Sequence, residues 1–304
     1  MFTAIVSPNN PRVKRAAQLR ESRTRRREGA FLVDGVREVG RAFRSGFEIV
    51  EVFWDAGKNV GAEDKISPEV ALKRNRVEGD RLDELQQLLA TIDSKGVPTI
   101  PLSSRAFEKI VFGDRNEGVV AVVKSKTSSL EELDAFLEKK SRKTGESPLL
   151  AVLEGVEKPG NVGAVLRSAD GAGVDALLIA ASEFDVFNPN AVRASLGAVF
   201  HTPIVVAPAQ TLLTWTRERK IQRATALCDQ AIPYVQLDYC LPTAIVLGSE
   251  ANGLSDAWST ESREDVEMGL LKKIRLPMLG VADSLNVSNA AAILFYEARR
   301  VRSF

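Results

Sequence analysis

Four runs of consecutive apolar residues in the second half of the chain constrain its fold more than any other feature. They are residues 149–153 (LLAVL), 176–180 (ALLIA), 204–206 (IVV) and 244–247 (AIVL). A strand with one wet face alternates apolar and polar residues, whereas a strand that is apolar throughout is covered on both faces. Stretches of helical character separate the runs, at 160–173, 189–199 and 211–220, and a further strand is expected at 223–228. This alternation predicts an α/β domain with a parallel sheet between layers of helices. A last segment, residues 274–300 (IRLPMLGVADSLNVSNAAAILFYEARR), reads as a short strand at 274–276, a polar loop and a C-terminal helix. Asn286 or Ser288 is the expected N-cap, and Arg299 and Arg300 suit the negative end of the helix dipole.

The first half alternates less regularly. Strands are expected at 31–33, 47–54, 97–102 and 118–123, and helices at 34–45, 80–90 and from 103 or 104 to 111. This is a smaller N-terminal α/β domain over residues 1–123. Residues 124–147 are charged and, apart from a short helix near 130–137, poor in apolar side chains, as expected of a linker. The C-terminal parallel-sheet α/β domain then spans 148–304.

With 44% hydrophobic residues the chain can bury a full core. No apolar run approaches the ~20 residues that span a bilayer, and the N-terminus lacks the apolar stretch of a signal peptide. The two cysteines, Cys228 and Cys240, and the single His201 exclude a zinc site rich in those residues and a disulfide framework. They are expected at core or edge positions. A cytoplasmic protein with no membrane partner and no metal is the simplest expectation.

Net charge is only +1, but it is unevenly distributed. Residues 1–28 hold eight basic side chains against Glu21 and Glu28. Seven of the eight are arginines, which pair bidentately with phosphate and stack on bases. The segment is therefore read as an arm for nucleic acid rather than as only a solvated helix face.

Three expected strand-to-helix loops combine small residues with fixed polar groups, at residues 157–168, 247–255 and 277–288. In a parallel sheet such loops gather at the carboxyl edge, where α/β proteins build their sites. Glycine in them lets backbone approach a ligand closely. None is a dinucleotide fingerprint or a P-loop.

These loops carry a resemblance. NVGAVLRS (161–168), IVLGSEANGLS (245–255) and PMLGVADSLNVS (277–288) resemble, in order and spacing, the three motifs of the SpoU-type RNA 2′-O-ribose methyltransferases. That family belongs to the SPOUT superfamily of trefoil-knotted, S-adenosylmethionine-dependent enzymes. The likeness covers about half the chain, and VRASLGAVFHTP (192–203) fits it too. SPNNPRVK (7–14) and FLVDGVRE (31–38) look like the start of the ribosomal-protein-like substrate domain that many members carry, with Asp34 where glutamate is frequent.

The resemblance implies transfer of a methyl group from a sulfonium to a ribose 2′-hydroxyl. Arg167 would be central. A guanidinium stays protonated, so it would hold the adjacent phosphate and stabilise the developing alkoxide. Asn161 would orient Arg167 or the substrate, and Glu250 would fix Arg167 or a ribose hydroxyl through charge-assisted bonds. Ser284 and Asn286 would contact ribose or the neighbouring catalytic groups. The cofactor pocket would be mostly backbone, from Leu247, Gly248, Ile274, Pro277 and Leu285, with Gly280 allowing close approach and Ser195 and Gly197 at its flank. Arg12, Lys14, Arg23 and Arg37 are the expected RNA contacts. The implied partners are structured RNA, ribosomal rather than transfer, and a second copy of the chain. The same polar residues also have plain structural readings: an N-cap for Asn161, a helix N-terminal acid for Glu250, and turn chemistry for Ser284 and Asn286. Two other functions fit parts of the sequence. One is an RNA-binding protein that keeps the fold without catalysis, against which the intact Asn161, Arg167, Glu250, Ser284 and Asn286 argue. The other is a nucleotide-binding enzyme for a small molecule, which leaves the N-terminal domain without a purpose.

Overall fold

The computed structural model describes residues 3–57, 80–112, 117–227, 231–249, 252–260 and 262–302. The chain divides into two compact units. One comprises Met1–Lys126 with Phe187–Arg193, the other Thr127–Val186 with Ala194–Phe304.

The first unit holds a four-stranded sheet in the order β1-β4-β2-β3, with β1 Ala30–Asp34, β2 Ile49–Gly57, β3 Thr99–Ser103 and β4 Val119–Lys124. β4 runs antiparallel to β1 and β2, while β2 and β3 are parallel. The β-branched run of β4 is buried, and the strand lies between β1 and β2. Helix Pro11–Gln18 begins with Asn10 Oδ1 accepting from the Arg12 N–H at 2.9 Å, and with proline where a missing N–H is harmless. Its Val13 and Ala16, with the following Leu19, enter a core with Phe53, Ile100, Leu102 and Phe107.

The basic segment is thus a folded pair of helices, Pro11–Gln18 and Ser22–Glu28, and not a free arm. Some of its charge is spent internally. Arg25 is buried and donates to the carbonyls of Leu19 and Arg20, at 2.8 and 2.5 Å, and Arg20 donates to Val111 O. Arg15 pairs with Glu28 at 2.9 Å. Arg12, Lys14, Arg23 and Arg37 are exposed, with Arg12 3.8 Å from Glu51 and Arg37 2.6 Å from Glu38.

Phe187–Arg193 folds into this unit through aromatic contacts. Phe187 stacks on Phe31 with ring centres 4.3 Å apart and meets Phe47 edge-on at 6.1 Å. Arg193 donates to Phe112 O at 2.6 Å and lies over the Phe112 ring. The helix expected over 189–199 stops at Ala194, because Leu196 and Gly197 take φ of 50° and 89°.

The second unit holds a seven-stranded sheet in the order β7-β6-β5-β10-β8-β11-β9. Its strands are β5 Leu149–Glu154, β6 Ala176–Ala180, β7 Ile204–Ala207, β8 Gln222–Ala226, β9 Ile232–Pro233, β10 Thr243–Leu247 and β11 Leu271–Arg275. All neighbouring pairs are parallel, as the continuous apolar runs imply. Helix Leu130–Thr144 is longer than expected: a capping box from Ser129 and Glu132 starts it, Gly145 at φ 72° ends it, and Leu133 is fully buried in the core of this unit. Its polar composition reflects one apolar stripe on a mostly wet helix.

The C-terminal helix Val287–Val301 packs along helix Pro159–Ala172. Gly171 allows the approach, since a Cβ there would lie 3.0 Å from the Tyr296 hydroxyl. Arg299 donates to the open carbonyls at the end of that helix, Ala172 O at 2.8 Å and Gly173 O at 2.9 Å. Arg302 donates to Tyr239 O, Leu241 O and Pro148 O at 2.7, 2.9 and 3.0 Å. Cys240 and His201 are exposed, with His201 Nδ1 2.8 Å from Asp170, and Cys228 lies outside the described residues. Among the described residues no helix is long and apolar enough to cross a membrane.

Asp34, at the end of β1, is pushed up to a pKa of about 6, chiefly by burial. The Phe112 N–H, 3.1 Å away, and Arg193 oppose the rise, and Glu117 and Glu38 add to it. A folded carboxyl with a raised pKa penalises the native state once both states are ionised. The penalty is absent below the unfolded value near 4 and complete above about 6. Asp34→Asn keeps the acceptor and removes the charge. In denaturant unfolding it is expected to stabilise the first unit by roughly 2–3 kcal/mol at pH 8 and by nothing at pH 3.5.

Candidate active site

The ends of β5, β10 and β11 deliver the three polar loops at the carboxyl edge of the second unit's sheet. After β5 the chain turns at Gly155, with φ 65°, and enters helix Pro159–Ala172. The N-cap position is Lys158, so Asn161 is inside the helix and does not cap it. Its Oδ1 instead accepts from Asn286 Nδ2 at 3.4 Å, across 125 residues of sequence. Asn286 is the N-cap of the C-terminal helix. Its Oδ1 accepts from the Ser288 N–H at 3.0 Å and from Ser288 Oγ at 2.5 Å, which leaves its amide nitrogen directed at Asn161. One side chain both caps a helix and joins the first loop to the third.

The second loop is closed on itself. Ser249 and Gly253 exchange backbone hydrogen bonds at 3.1 and 2.9 Å, and the Asn252 N–H donates to Ser249 Oγ at 3.0 Å. Gly248 is required here, because a Cβ would run into the carbonyl of Gly253. The loop ends where the N–H and Oγ of Ser255 donate to the two Glu154 carboxylate oxygens at 2.7 and 2.8 Å. Glu154 lies outside the three motifs, while Ser255 closes the second. The hint in the sequence is a carboxylate that closes an apolar strand just before a glycine.

The other expected residues fall as follows. Leu247 and Ile274 are buried, so only their backbone is offered to a ligand. Leu285 is half-buried, Pro277, Gly280 and Ser284 are exposed, and Leu279 and Val281 beside them are almost fully exposed. Arg167 is exposed on helix Pro159–Ala172, with no ion pair among the described residues. Ser195 is buried with its Oγ accepting from the Gly197 N–H at 3.2 Å. Glu250 lies outside the described residues.

This arrangement has known counterparts. Residues 148–296 match the SpoU rRNA Methylase family, and residues 10–121 the MRM3-like substrate binding domain. A solved RNA 2′-O ribose methyltransferase is 31% identical, aligns over 99% of this chain and 100% of its own, and superposes with a TM-score of 0.75. The chain belongs to the SpoU rRNA methylase family. The 23S rRNA (uridine(2479)-2′-O)-methyltransferase of Streptomyces viridochromogenes is 27% identical over 98% of this chain and 92% of its own length. An AdoMet-bound rRNA methyltransferase structure from Sinorhizobium meliloti is 26% identical, covers 98% of this chain and 97% of its own, and has a TM-score of 0.77.

Within this SpoU chain the double duty of Asn286 is separable. Asn286→Ala removes the cap and is expected to lower unfolding stability by about 1 kcal/mol. Asn286→Asp keeps a capping acceptor and should not, although it can no longer donate to Asn161. Denaturant melts of the two variants check this.

Proposed function

We propose that the protein is an S-adenosylmethionine-dependent methyltransferase acting on a ribose 2′-hydroxyl of ribosomal RNA. The observation that carries the reading is the meeting of Asn161 and Asn286, from the first and third loops, at the carboxyl edge of the sheet from which the second loop also leaves. Family membership supplies the reaction class. The residues suit an adenosyl group: Pro277 and Leu285 offer apolar surface, Leu247, Gly248 and Ile274 offer backbone, and nothing lies within 4 Å of a Cβ placed on Gly280. When bound, the cofactor supplies an electrophilic methyl group.

The chain's own task is to hold the hydroxyl in line and manage its charge. Arg167, exposed and permanently cationic, grips the phosphate beside the target ribose and stabilises negative charge growing on the 2′-oxygen. Asn161 and Asn286 form a neutral amide pair that orients the ribose, with Ser284 next to it and Glu250 as a further partner for Arg167 or a ribose hydroxyl. The domain division at 1–123, 124–147 and 148–304 is part of the proposal, with helix Leu130–Thr144 counted to the catalytic unit whose core it enters. The N-terminal domain would bind structured RNA through Arg12, Lys14, Arg23 and Arg37. Ribosomal RNA is favoured over transfer RNA because the relative aligned along most of this chain is named for 23S rRNA. A trefoil-knotted path through the C-terminal segment, a homodimer and a cytoplasmic setting complete the reading.

Incubation with labelled cofactor and total RNA tests it, and absence of transfer to RNA would instead favour a binding protein of the same fold. Arg167→Ala is expected to lower methyl transfer at least about 100-fold while cofactor affinity stays unchanged; full activity in that variant would overturn the roles given. RNA affinity should fall steeply between 50 and 200 mM salt, by about tenfold or more if several phosphates are contacted. Charge reversal at Lys14 and Arg23 should flatten that dependence, which titrations at several salt concentrations read directly.

A further inference from the structure

Glu154 stands outside the three motifs, yet it joins two of them. It is the last residue of β5, and it leads through Gly155 into the loop that carries Asn161. Both of its oxygens are used on one residue, the N–H and Oγ of Ser255, at 2.7 and 2.8 Å. Ser255 lies 101 residues on, at the far end of the loop that starts at Gly248. The two ends of that loop are therefore fixed differently. Gly248 is held by the register of β10 on β5, with Leu247 opposite Leu153. Ser255 is tied to β5 by the carboxylate, and its own carbonyl accepts from the Trp258 N–H at 3.0 Å. Among the described residues of this loop, Gly248 lies against the backbone of Gly253, and Gly155 has Ser249 Cβ 3.5 Å from where its own Cβ would be.

We propose that Glu154 is a positioning residue that clamps the Gly248–Ser255 turn and so presents the backbone of Leu247 and Gly248 to the cofactor. The inference rests on the reading of those two residues as cofactor backbone. A charge-assisted bond to a backbone N–H and a second to a hydroxyl give the clamp both strength and direction. Without it the loop keeps its Ser249–Gly253 bonds and the strand pairing before Gly248, but loses the carboxylate that ties its Ser255 end to β5, so the Gly253 backbone packed against Gly248 is held less firmly. The chemistry at Arg167 and Asn161 does not require the clamp, so its loss falls on cofactor affinity.

The test compares Glu154→Ala, Glu154→Gln and Ser255→Ala in the full-length protein. Glu154→Ala is expected to weaken equilibrium binding of S-adenosylmethionine about tenfold, the size of one charge-assisted hydrogen bond, with RNA affinity unchanged. The methyl-transfer KM for the cofactor rises by the same factor and kcat stays within about twofold. Glu154→Gln rescues, since its amide oxygen accepts from the Ser255 N–H and its amide nitrogen donates to Ser255 Oγ. Ser255→Ala leaves the backbone bond and gives an intermediate loss, which serves if Glu154→Ala fails to fold. Amide exchange over Gly253, Leu254 and Ser255 is read in parallel without any ligand, and it should accelerate in Glu154→Ala and return in Glu154→Gln. Unchanged exchange would show that no clamp exists. Faster exchange with cofactor binding within twofold of the parent would show that the clamp does not position the cofactor. A parent protein that binds no S-adenosylmethionine would overturn the proposed function and the positioning role with it, while the exchange data would still decide the clamp.

Discussion

The pairing of β10 with β5 is the constraint on which the catalytic unit depends. The two strands lie in parallel register, Thr243 opposite Leu149 and Leu247 opposite Leu153, with β8 on the other side of β10. Apart from Glu154 and Thr243 both strands are apolar, and all but Glu154 is buried, so the pair is stable only inside the sheet with helices over both faces. A slip of one residue would exchange the faces of every side chain and separate Glu154 from the loop it holds. The pairing sets the first and second loops side by side. The third reaches them because Asn286 caps the C-terminal helix while bonding Asn161, and because Arg299 and Arg302 fasten the other end of that helix to backbone carbonyls.

The first unit is organised by a different balance. Its core is ordinary aliphatic and aromatic packing, but charged groups sit at its edges under partial burial. Arg25 is accommodated because backbone carbonyls satisfy its guanidinium. Asp34 is accommodated less well, with two other carboxylates nearby and one arginine, which is why its proton is held so late. Buried charge of this kind is tolerated where hydrogen bonds compensate and shifts its titration where they do not. A basic sequence therefore does not translate directly into a basic surface: of the arginines near the N-terminus, some build the fold and others face solvent.

Much of the fold was legible. Continuous apolar runs declared a parallel sheet, and each expected strand of the second half was found within a few residues. The helix expected over 189–199 was cut short by the positive φ of Leu196 and Gly197, since nothing in helical periodicity announces a backbone reversal at a leucine. Helix Leu130–Thr144 was read too short because its buried stripe is thin. At the site, the three loops, Ser255 included, were legible through their small and polar residues, but Glu154 and its bond to Ser255 were not. A glutamate at a strand end and a serine before a helix each have common local explanations. Only their meeting across the sheet gives them meaning.

The sequence by itself determined the layered α/β class, the three loops and the amino acids available in them, because these follow from local periodicity and from residue chemistry. The tertiary structure decided which of those residues meet. Asn161 was open to reading as a cap and proved to be a partner of Asn286, while Asn286 proved to be both. The reason is physical. A cap or a turn is settled by neighbours three or four residues away, whereas a contact across 125 residues is settled by strand order, which no local pattern encodes.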